Sequence, residues 1–213
     1  MQKNIQNNLI TWYNKNHRHF PWRETKNPYY IWISEIMLQQ TTTEAVIPYY
    51  TRFIETFDTI DKLAKASLED VYKLWEGLGY YRRAKHIHET AQFICENFHG
   101  QFPATYEDIL NLKGIGPYTA GAICSIAYGM STPAIDGNVL RIISRLYALK
   151  DNIALTKTQK KISQIVSELL IGYDASSFNQ GLMDLGATIC RPLNPQCQNC
   201  PIAAFCKAKE IGQ

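Results

Sequence analysis

The residues richest in chemistry crowd one end of the sequence: Cys190-x6-Cys197-x2-Cys200-x5-Cys206, four of the six cysteines in 213 residues. Four thiolates around a central C-x-x-C suit a tetrahedral zinc or a 4Fe–4S cluster. Structural zinc sites more often pair two such knuckles, and here there is one, with no histidine near enough for mixed ligation. Four cysteines within 17 residues are poorly explained as buried free thiols. Arg191 and three prolines lie among them, giving a stiff loop with one basic residue. Cys95 and Cys124 fall in apolar helical stretches and are expected in the core.

A second candidate is "LKGIGPYTAG", residues 112–121, with Gly114 and Gly116 two apart. A dinucleotide fingerprint needs a preceding strand and a G-x-G-x-x-G spacing. The preceding "YEDILNLK" is helical in pattern, and Gly121 falls two residues late. No Lys-Ser or Lys-Thr follows, so a Walker loop is excluded too. What remains is helix, tight turn, and a second helix from Pro117, since proline suits a first helical turn. Glycines let backbone amides approach an anion, and a helix N-terminus favours negative charge. Such a helix-hairpin-helix grips a DNA phosphate without reading sequence. An ordinary helix C-cap followed by an N-terminal proline uses the same residues.

Two carboxylates stand out. In "NPYYIWISEIMLQQTTT", Glu35 is the only ionisable acid or base between Lys26 and Glu44, tyrosines aside. On a helix its neighbours three and four away are Ile31, Trp32, Leu38 and Gln39. A carboxyl on so apolar a flank is expected to titrate above the usual range, as a general acid near neutral pH must. A helix acid at the edge of the core is the competing account. Asp136 precedes Gly-Asn and an apolar run, which is the position of a helix N-cap.

The elements that must position these groups read as helical almost throughout. "NIQNNLITWYNKN" places Ile5, Leu9, Ile10, Trp12 and Tyr13 near a 3.6-residue repeat. "SLEDVYKLWEG" opens with a capping box, Ser67 then Asp70, and stops at Gly77. "ALTKTQKKISQIVSELLIG" puts Ile162, Ile165, Val166 and Leu169 on one stripe, with Gly172 at its end, and "SSFNQGLMDLGATIC" runs into the first clustered cysteine. No alternating strand, low-complexity linker or internal repeat is evident. The expectation is an all-α array of about ten short helices joined by tight turns.

Composition sets the class. The length allows one large domain or two small ones with a sizeable core. The net charge of +3 permits an anionic partner without arguing strongly for one. No signal peptide or membrane-spanning run is evident, so a soluble intracellular protein is expected, its clustered cysteines binding metal before forming disulfides.

The glycine loop and the cysteine spacing together resemble the helix-hairpin-helix DNA glycosylases related to endonuclease III. Within them, "FPWR", "SEIMLQQT", "WEGLGYYRRAK", "GIGPYTAGAI", "PAIDGNVLRI" and "FNQGLMDLGATIC" resemble, in order, segments of the MutY-type adenine DNA glycosylases. The resemblance runs from about Trp12 to Cys206. It implies a 4Fe–4S cluster on Cys190, Cys197, Cys200 and Cys206, and a DNA-phosphate clamp at Gly114, Gly116 and Tyr118. Glu35 matches the catalytic acid that protonates the adenine ring. Asp136 matches the carboxylate that stabilises an oxocarbenium-like sugar, the two-carboxylate logic of sugar hydrolases, and Asn138 matches a residue that helps position that site.

Tyr118 stands where strand-cutting relatives carry a Schiff-base lysine, so the resemblance implies a monofunctional enzyme. Lys113 lies before the turn and does not take that position. Gln40 and Tyr81 match residues that wedge into the duplex when the base leaves the stack. Arg18, Phe20, Trp22 and Gln180 match the adenine pocket, where a glutamine can donate to and accept from a purine edge. Phe20 departs from the leucine common in that branch, and Thr43 from a usual valine. "RRAKHIH", residues 82–88, with Arg141 and Arg145, supplies positive charge for a solvated helix face or for phosphate contact.

By resemblance the fold has two helical lobes, residues 24–133 with the helix-hairpin-helix, and 1–23 with 134–213 carrying the cluster, with Asp136 at the cleft between them. The implied function is excision of adenine mispaired with 8-oxoguanine or guanine in double-stranded DNA, leaving an abasic site. The implied protein is a monomer of the cytoplasm and nucleoid, or of the nucleus in a eukaryote. A thymine or uracil mismatch glycosylase is the nearest rival, and Gln180 argues against it. A non-catalytic iron–sulfur DNA-binding or redox-sensing protein is the rival of another class, disfavoured by the presence of both Glu35 and Asp136. Long MutY-type enzymes append a C-terminal domain that contacts 8-oxoguanine. The sequence stops seven residues past Cys206, so that domain is not expected, and a smaller preference for 8-oxoguanine over guanine is.

Overall fold

The structure, a computed structural model, describes residues 2–212. In chain order the helices are α1 (Gln2–Asn16), α2 (Pro28–Met37), α3 (Thr43–Thr56), α4 (Ile60–Lys65), α5 (Leu68–Trp75) and α6 (Tyr81–Phe98). There follow α7 (Tyr106–Leu110), α8 (Pro117–Tyr128), α9 (Gly137–Leu146), α10 (Thr156–Leu170), α11 (Ala175–Thr188) and α12 (Lys207–Glu210). Among the described residues there is no strand, as the absence of period-two patterning predicts. No described helix is long and apolar enough to cross a membrane.

The helices begin where short polar side chains satisfy the first free N–H groups. The hydroxyls of Thr59, Ser67 and Thr105 accept from the amides of Lys62, Asp70 and Asp108 at 3.1–3.2 Å. Ser67 and Thr105 also donate to the carboxylates of Asp70 and Asp108 at 2.7 Å. Each pair resembles a capping box with an Asp in place of the usual Glu, but the returning bond comes from the N-cap hydroxyl and not from its backbone N–H. Gly77 and Gly172, at φ +93° and +80°, follow α5 and α10, where a left-handed residue ends a helix.

The chain divides into two compact units: His19–Tyr128, the central unit, and the chain up to Arg18 with that from Gly129 onward, the terminal unit. In the central unit α4 and α5 pack on α6, and α2 packs on α8. Its core is aromatic, with Trp32, Phe53 and Trp75 fully buried. Cys124 lies in that core. Cys95 does not: its thiol is partly exposed and sits 3.5 Å from the Asp61 carboxylate.

In the terminal unit α1 and α9 pack on α11, with α10 and α12 against α9. The expected stripes close this core: Ile5 and Leu9 meet Val139, Ile143, Ile162, Val166, Leu169 and Phe178. Burying each such aliphatic side chain stabilises by about 1.5–3 kcal/mol. Gly181 sets how near α1 comes to α11, because a Cβ there would lie 3.3 Å from both Leu9 and Tyr13.

Candidate active site

Glu35 lies on α2, a helix begun by Asn27, whose side chain accepts from the Tyr29 amide at 2.9 Å, with Pro28 in its first turn. Every residue from Ile31 to Met37 is buried, and Glu35 is 6% exposed. The helix is therefore buried on all sides, and Glu35 is the one ionised-type side chain within it. A largely buried carboxyl is the kind of group from which a proton donor is built.

Beyond α2 the chain turns sharply, and Gln40 adopts φ +57°. The turn before α6 does the same at Tyr80, φ +50°. Both strained turns converge on Arg83, the third residue of α6, which is 8% exposed. Its Nη1 donates to the carbonyls of Ile36, Met37 and Gln39 at 2.9, 2.8 and 2.6 Å. Its Nη2 reaches Thr41 Oγ1, Leu78 O and Gly79 O at 3.3–3.4 Å. The rings of Trp75 and Tyr80 lie 5.6 and 5.3 Å from the guanidinium carbon. Burial pulls its pKa below the ordinary arginine value. Gln40 is exposed, Tyr81 is 43% exposed, and the Tyr81 ring stands edge-on to Tyr72 at 5.6 Å.

The run 82–88 is thus not a uniform solvated face. Helical periodicity turns Arg83 and His88 inward, His88 Nε2 meeting Ala66 O at 2.9 Å. Lys85 pairs with Glu89 at 3.8 Å, and Arg82 stays exposed.

The glycine loop is a turn between α7 and α8. Gly114 has φ +80°, and a Cβ there would lie 3.0 Å from His86 Nδ1 and 3.1 Å from His86 Cβ. Conformation and close packing both require glycine. Gly116 differs, for a Cβ there would meet nothing within 4 Å and its φ is not positive. Ile115 between them is buried, and Tyr118 is the second residue of α8 and half-buried. The Lys113 ammonium pairs with Glu89 at 2.7 Å.

In the terminal unit Asp136 caps α9. Its Oδ1 accepts from the Val139 amide at 2.7 Å, and its Oδ2 from Asn138 Nδ2 at 2.8 Å. Asn138 Oδ1 in turn accepts from Arg141 Nη2 at 2.8 Å. Gly186 of α11 faces this network so closely that a Cβ there would collide with the Cβ of Asn138. The segment leading to Asp136 is tied by Asn179, fully buried, which donates to Thr132 O at 2.9 Å and accepts from the Ala134 amide at 3.3 Å. Asn179 was not singled out from sequence, although a polar residue in an apolar helical run is the signal that marks it.

The base-contact candidates fall into two pairs. Arg18 Nε donates to Asp184 Oδ1 at 2.8 Å, and Asp184 is almost wholly buried on α11. One turn earlier on α11, Gln180 is 9% exposed and donates to Ser176 Oγ at 3.0 Å. Phe20 and Trp22 belong to the central unit, where their rings stack at 5.0 Å and 12° and both are buried.

Cys190, Cys197, Cys200 and Cys206 line one cavity of about 180 Å³, with Arg145 and Lys209 on its wall. Among the described residues no three His, Cys, Asp or Glu side chains are grouped to hold a single metal ion. Four thiols around a cavity are the donor set that a tetrahedral zinc or a 4Fe–4S cluster takes. Burial pushes the Cys200 thiol up to about 11, with the other three cysteines adding to it. A bound metal reverses that preference, because thiolate is the form it takes.

Arg141 and Arg145 hold the cysteine loop. Arg141 Nε donates to Cys190 O at 2.9 Å, and Arg145 donates to Arg191 O and Pro192 O at 2.8 and 2.9 Å. Arg145 also approaches Cys190 Sγ at 3.4 Å.

Residues 33–170 match the family model of the HhH-GPD superfamily base excision DNA repair proteins. The chain is 42% identical over 201 residues to the adenine DNA glycosylase of Buchnera aphidicola subsp. Schizaphis graminum, covering 94% of this chain and 58% of that protein. To the adenine DNA glycosylase of Homo sapiens it is 39% identical over 215 residues, covering 97% of this chain and 39% of that one. It spans about half the length of the curated relatives it matches. Among solved structures, a thermostable thymine-DNA glycosylase superposes with a TM-score of 0.90 at 30% identity, covering 99% of this chain and 97% of that chain. A trapped endonuclease III–DNA covalent intermediate superposes with a TM-score of 0.76 at 21% identity, covering 100% and 98%, a likeness of fold.

Proposed function

The chain belongs to the HhH-GPD superfamily of base excision DNA repair proteins, and from that premise we propose that it is a monofunctional DNA glycosylase excising adenine mispaired with 8-oxoguanine or guanine. The observation that carries the reading is Glu35, a carboxyl 6% exposed on a helix otherwise free of charge. Identity of 39–42% to adenine DNA glycosylases over nearly the whole chain supports the choice of base.

In this reading Glu35 gives its proton to the adenine ring, and the N-glycosidic electron pair leaves with the base. Positive charge develops at the sugar, where the Asp136 carboxylate, steadied by Asn138, opposes it. Water then adds to the sugar carbon and loses a proton, leaving an abasic site in an uncut strand. Tyr118 has no amine for a Schiff base, and the Lys113 amine is held by Glu89. Arg18 and Gln180 on the terminal unit, and Phe20 and Trp22 on the central unit, are the proposed base contacts. Gln40 and Tyr81 are the proposed wedge.

The backbone at Gly114, Gly116 and Tyr118 is the proposed phosphate clamp. Nothing inside the protein requires glycine at 116, which suits a backbone that an outside group must approach closely. Cys190, Cys197, Cys200 and Cys206 are proposed to hold a 4Fe–4S cluster. When bound, the cluster supplies cross-linking of the loop that Arg141 and Arg145 already tie to α9. The proposed partner is double-stranded DNA carrying a mismatch, bound by one copy of the chain.

The second reading, a thymine mismatch glycosylase, is favoured by the 0.90 superposition on such an enzyme. Single-turnover excision from A:8-oxoguanine, A:G, T:G and U:G duplexes, with borohydride present in parallel, separates the two. The expected result is loss of adenine alone, strand cleavage only after alkali, and no covalent adduct. Loss of thymine or uracil with adenine intact would overturn the proposal.

A further inference from the structure

Both proposed wedge residues stand beside backbone that a single side chain holds. Arg83 accepts no carboxylate partner among the described residues; its hydrogen bonds go to five backbone carbonyls and one hydroxyl. Two of those carbonyls, Gln39 O and Gly79 O, immediately precede the two left-handed residues Gln40 and Tyr80. Left-handed backbone at non-glycine residues persists only where the surroundings enforce it. The same guanidinium holds the C-terminal carbonyls of α2 through Ile36 and Met37, groups that no helix satisfies internally. Tyr80, 60% exposed, lays its ring 5.3 Å from the guanidinium carbon, and Tyr81 follows it as the first residue of α6.

We propose that Arg83 is a positioning residue that locks the Gln40 turn and the Tyr80–Tyr81 turn into one rigid two-pronged wedge for the DNA duplex. The planar fork is what the task requires. Five N–H donors fixed in one plane can bridge two turns, whereas a lysine offers a point charge on a flexible stem. Rigidity matters because prying a base from its stack costs free energy that a loose side chain would dissipate in its own motion. The proposal rests on the reading of Gln40 and Tyr81 as the wedge and does not depend on which base is excised.

The test reads insertion without chemistry. A 2-aminopurine placed beside an A:G mismatch brightens when it is unstacked, and its fluorescence is followed with wild type, Arg83→Lys, Gln40→Ala and the double variant. The expected result is a bright wild-type complex, loss of more than half of the rise in Arg83→Lys, and a Kd changed less than threefold. In the double variant the loss should equal that of the worse single variant, since residues acting as one unit are not additive. Independent, multiplying losses would make Arg83 a structural residue only and overturn the proposal, as would an unchanged rise in Arg83→Lys. If Arg83→Lys does not fold, Tyr80→Leu and Thr41→Val loosen the grip with Arg83 in place and must show the same pattern in smaller size; an undiminished rise in both would overturn it. Arg83-dependent brightening in a protein that excises no adenine would keep this inference and remove the substrate assignment. A wild type that excises adenine without brightening would do the reverse.

Discussion

In the central unit Glu35 is carried on a helix buried on every side, so the packing of that helix fixes where the residue stands. In the terminal unit Asp136 stands at a helix start with each oxygen committed, one to the Val139 amide and one to Asn138. A residue whose backbone is held by packing keeps its place when the replacement has the same shape. One placed by hydrogen bonds tolerates only a replacement with the same donors and acceptors. The two acids should therefore separate chemistry from structure to different degrees.

The largest expected effect is at Glu35. Glu35→Gln keeps the volume and removes the proton, so single-turnover excision of adenine should fall about 1,000-fold, within the 10²–10⁴ range of general acid catalysis. Mismatch affinity and melting temperature should hold. A rate within tenfold of wild type would break the assignment.

Asp136→Asn comes next, with excision expected to fall about 100-fold. Asparagine still caps a helix, but its NH2 cannot accept from Asn138 while its oxygen serves Val139. One of the two hydrogen bonds must go, at about 1 kcal/mol, which lowers the melting temperature by a few degrees. Unchanged stability in Asp136→Asn, measured beside Glu35→Gln by calorimetry, would erase the contrast between the units.

Gly186→Ala tests the same contrast from outside the acid. The new methyl collides with the stem of Asn138, and overpacking of this kind costs about 1–3 kcal/mol. Because Asn138 moves with its Cβ, excision should drop about tenfold, and Gly181→Ala, which meets Leu9 and Tyr13 instead, should lower the melting temperature with less effect on rate. Equal rate losses in the two variants would show that Asn138 is not the route.

The smallest effect on the chemical step is expected from Cys197→Ser. If the proposed cluster is present, the variant should lack the four irons per chain expected of the unaltered protein and bind mismatched DNA about tenfold more weakly, roughly the 1.4 kcal/mol of a few loosened contacts. At saturating protein the excision rate should stay within about threefold, since neither Glu35 nor the Asp136 cap is touched. Iron-replete protein with this substitution, or zinc as the only metal in the unaltered one, would overturn the cluster assignment.

Much of the fold was legible because helix boundaries are local. Ser67 with Asp70, Asp136 before Gly-Asn and Pro117 after the glycines are each read within four residues, and each stands where expected. The apolar stripes of α1 and α10 were legible for the same reason. Arg83, Arg141 and Arg145 were not. A guanidinium reads as surface charge in any window, and whether it meets solvent, phosphate or backbone depends on turns far away in sequence. Cys95 and Cys124 read alike, and only packing separated a surface thiol from a core one.

By itself the sequence determined that this chain is helical and where several of its helices start, and it marked the side chains proposed to bear its chemistry, because capping, periodicity and residue type act over a few positions. Tertiary structure alone decided that Arg83 spans from residues 36–41 to 78–79, that Arg141 and Arg145 tie down the cysteine loop, and that Gly186 must be bare beside Asn138. Those are contacts between segments tens of residues apart, formed by polar groups that no helix satisfies, and their partners exist only once the helices have packed.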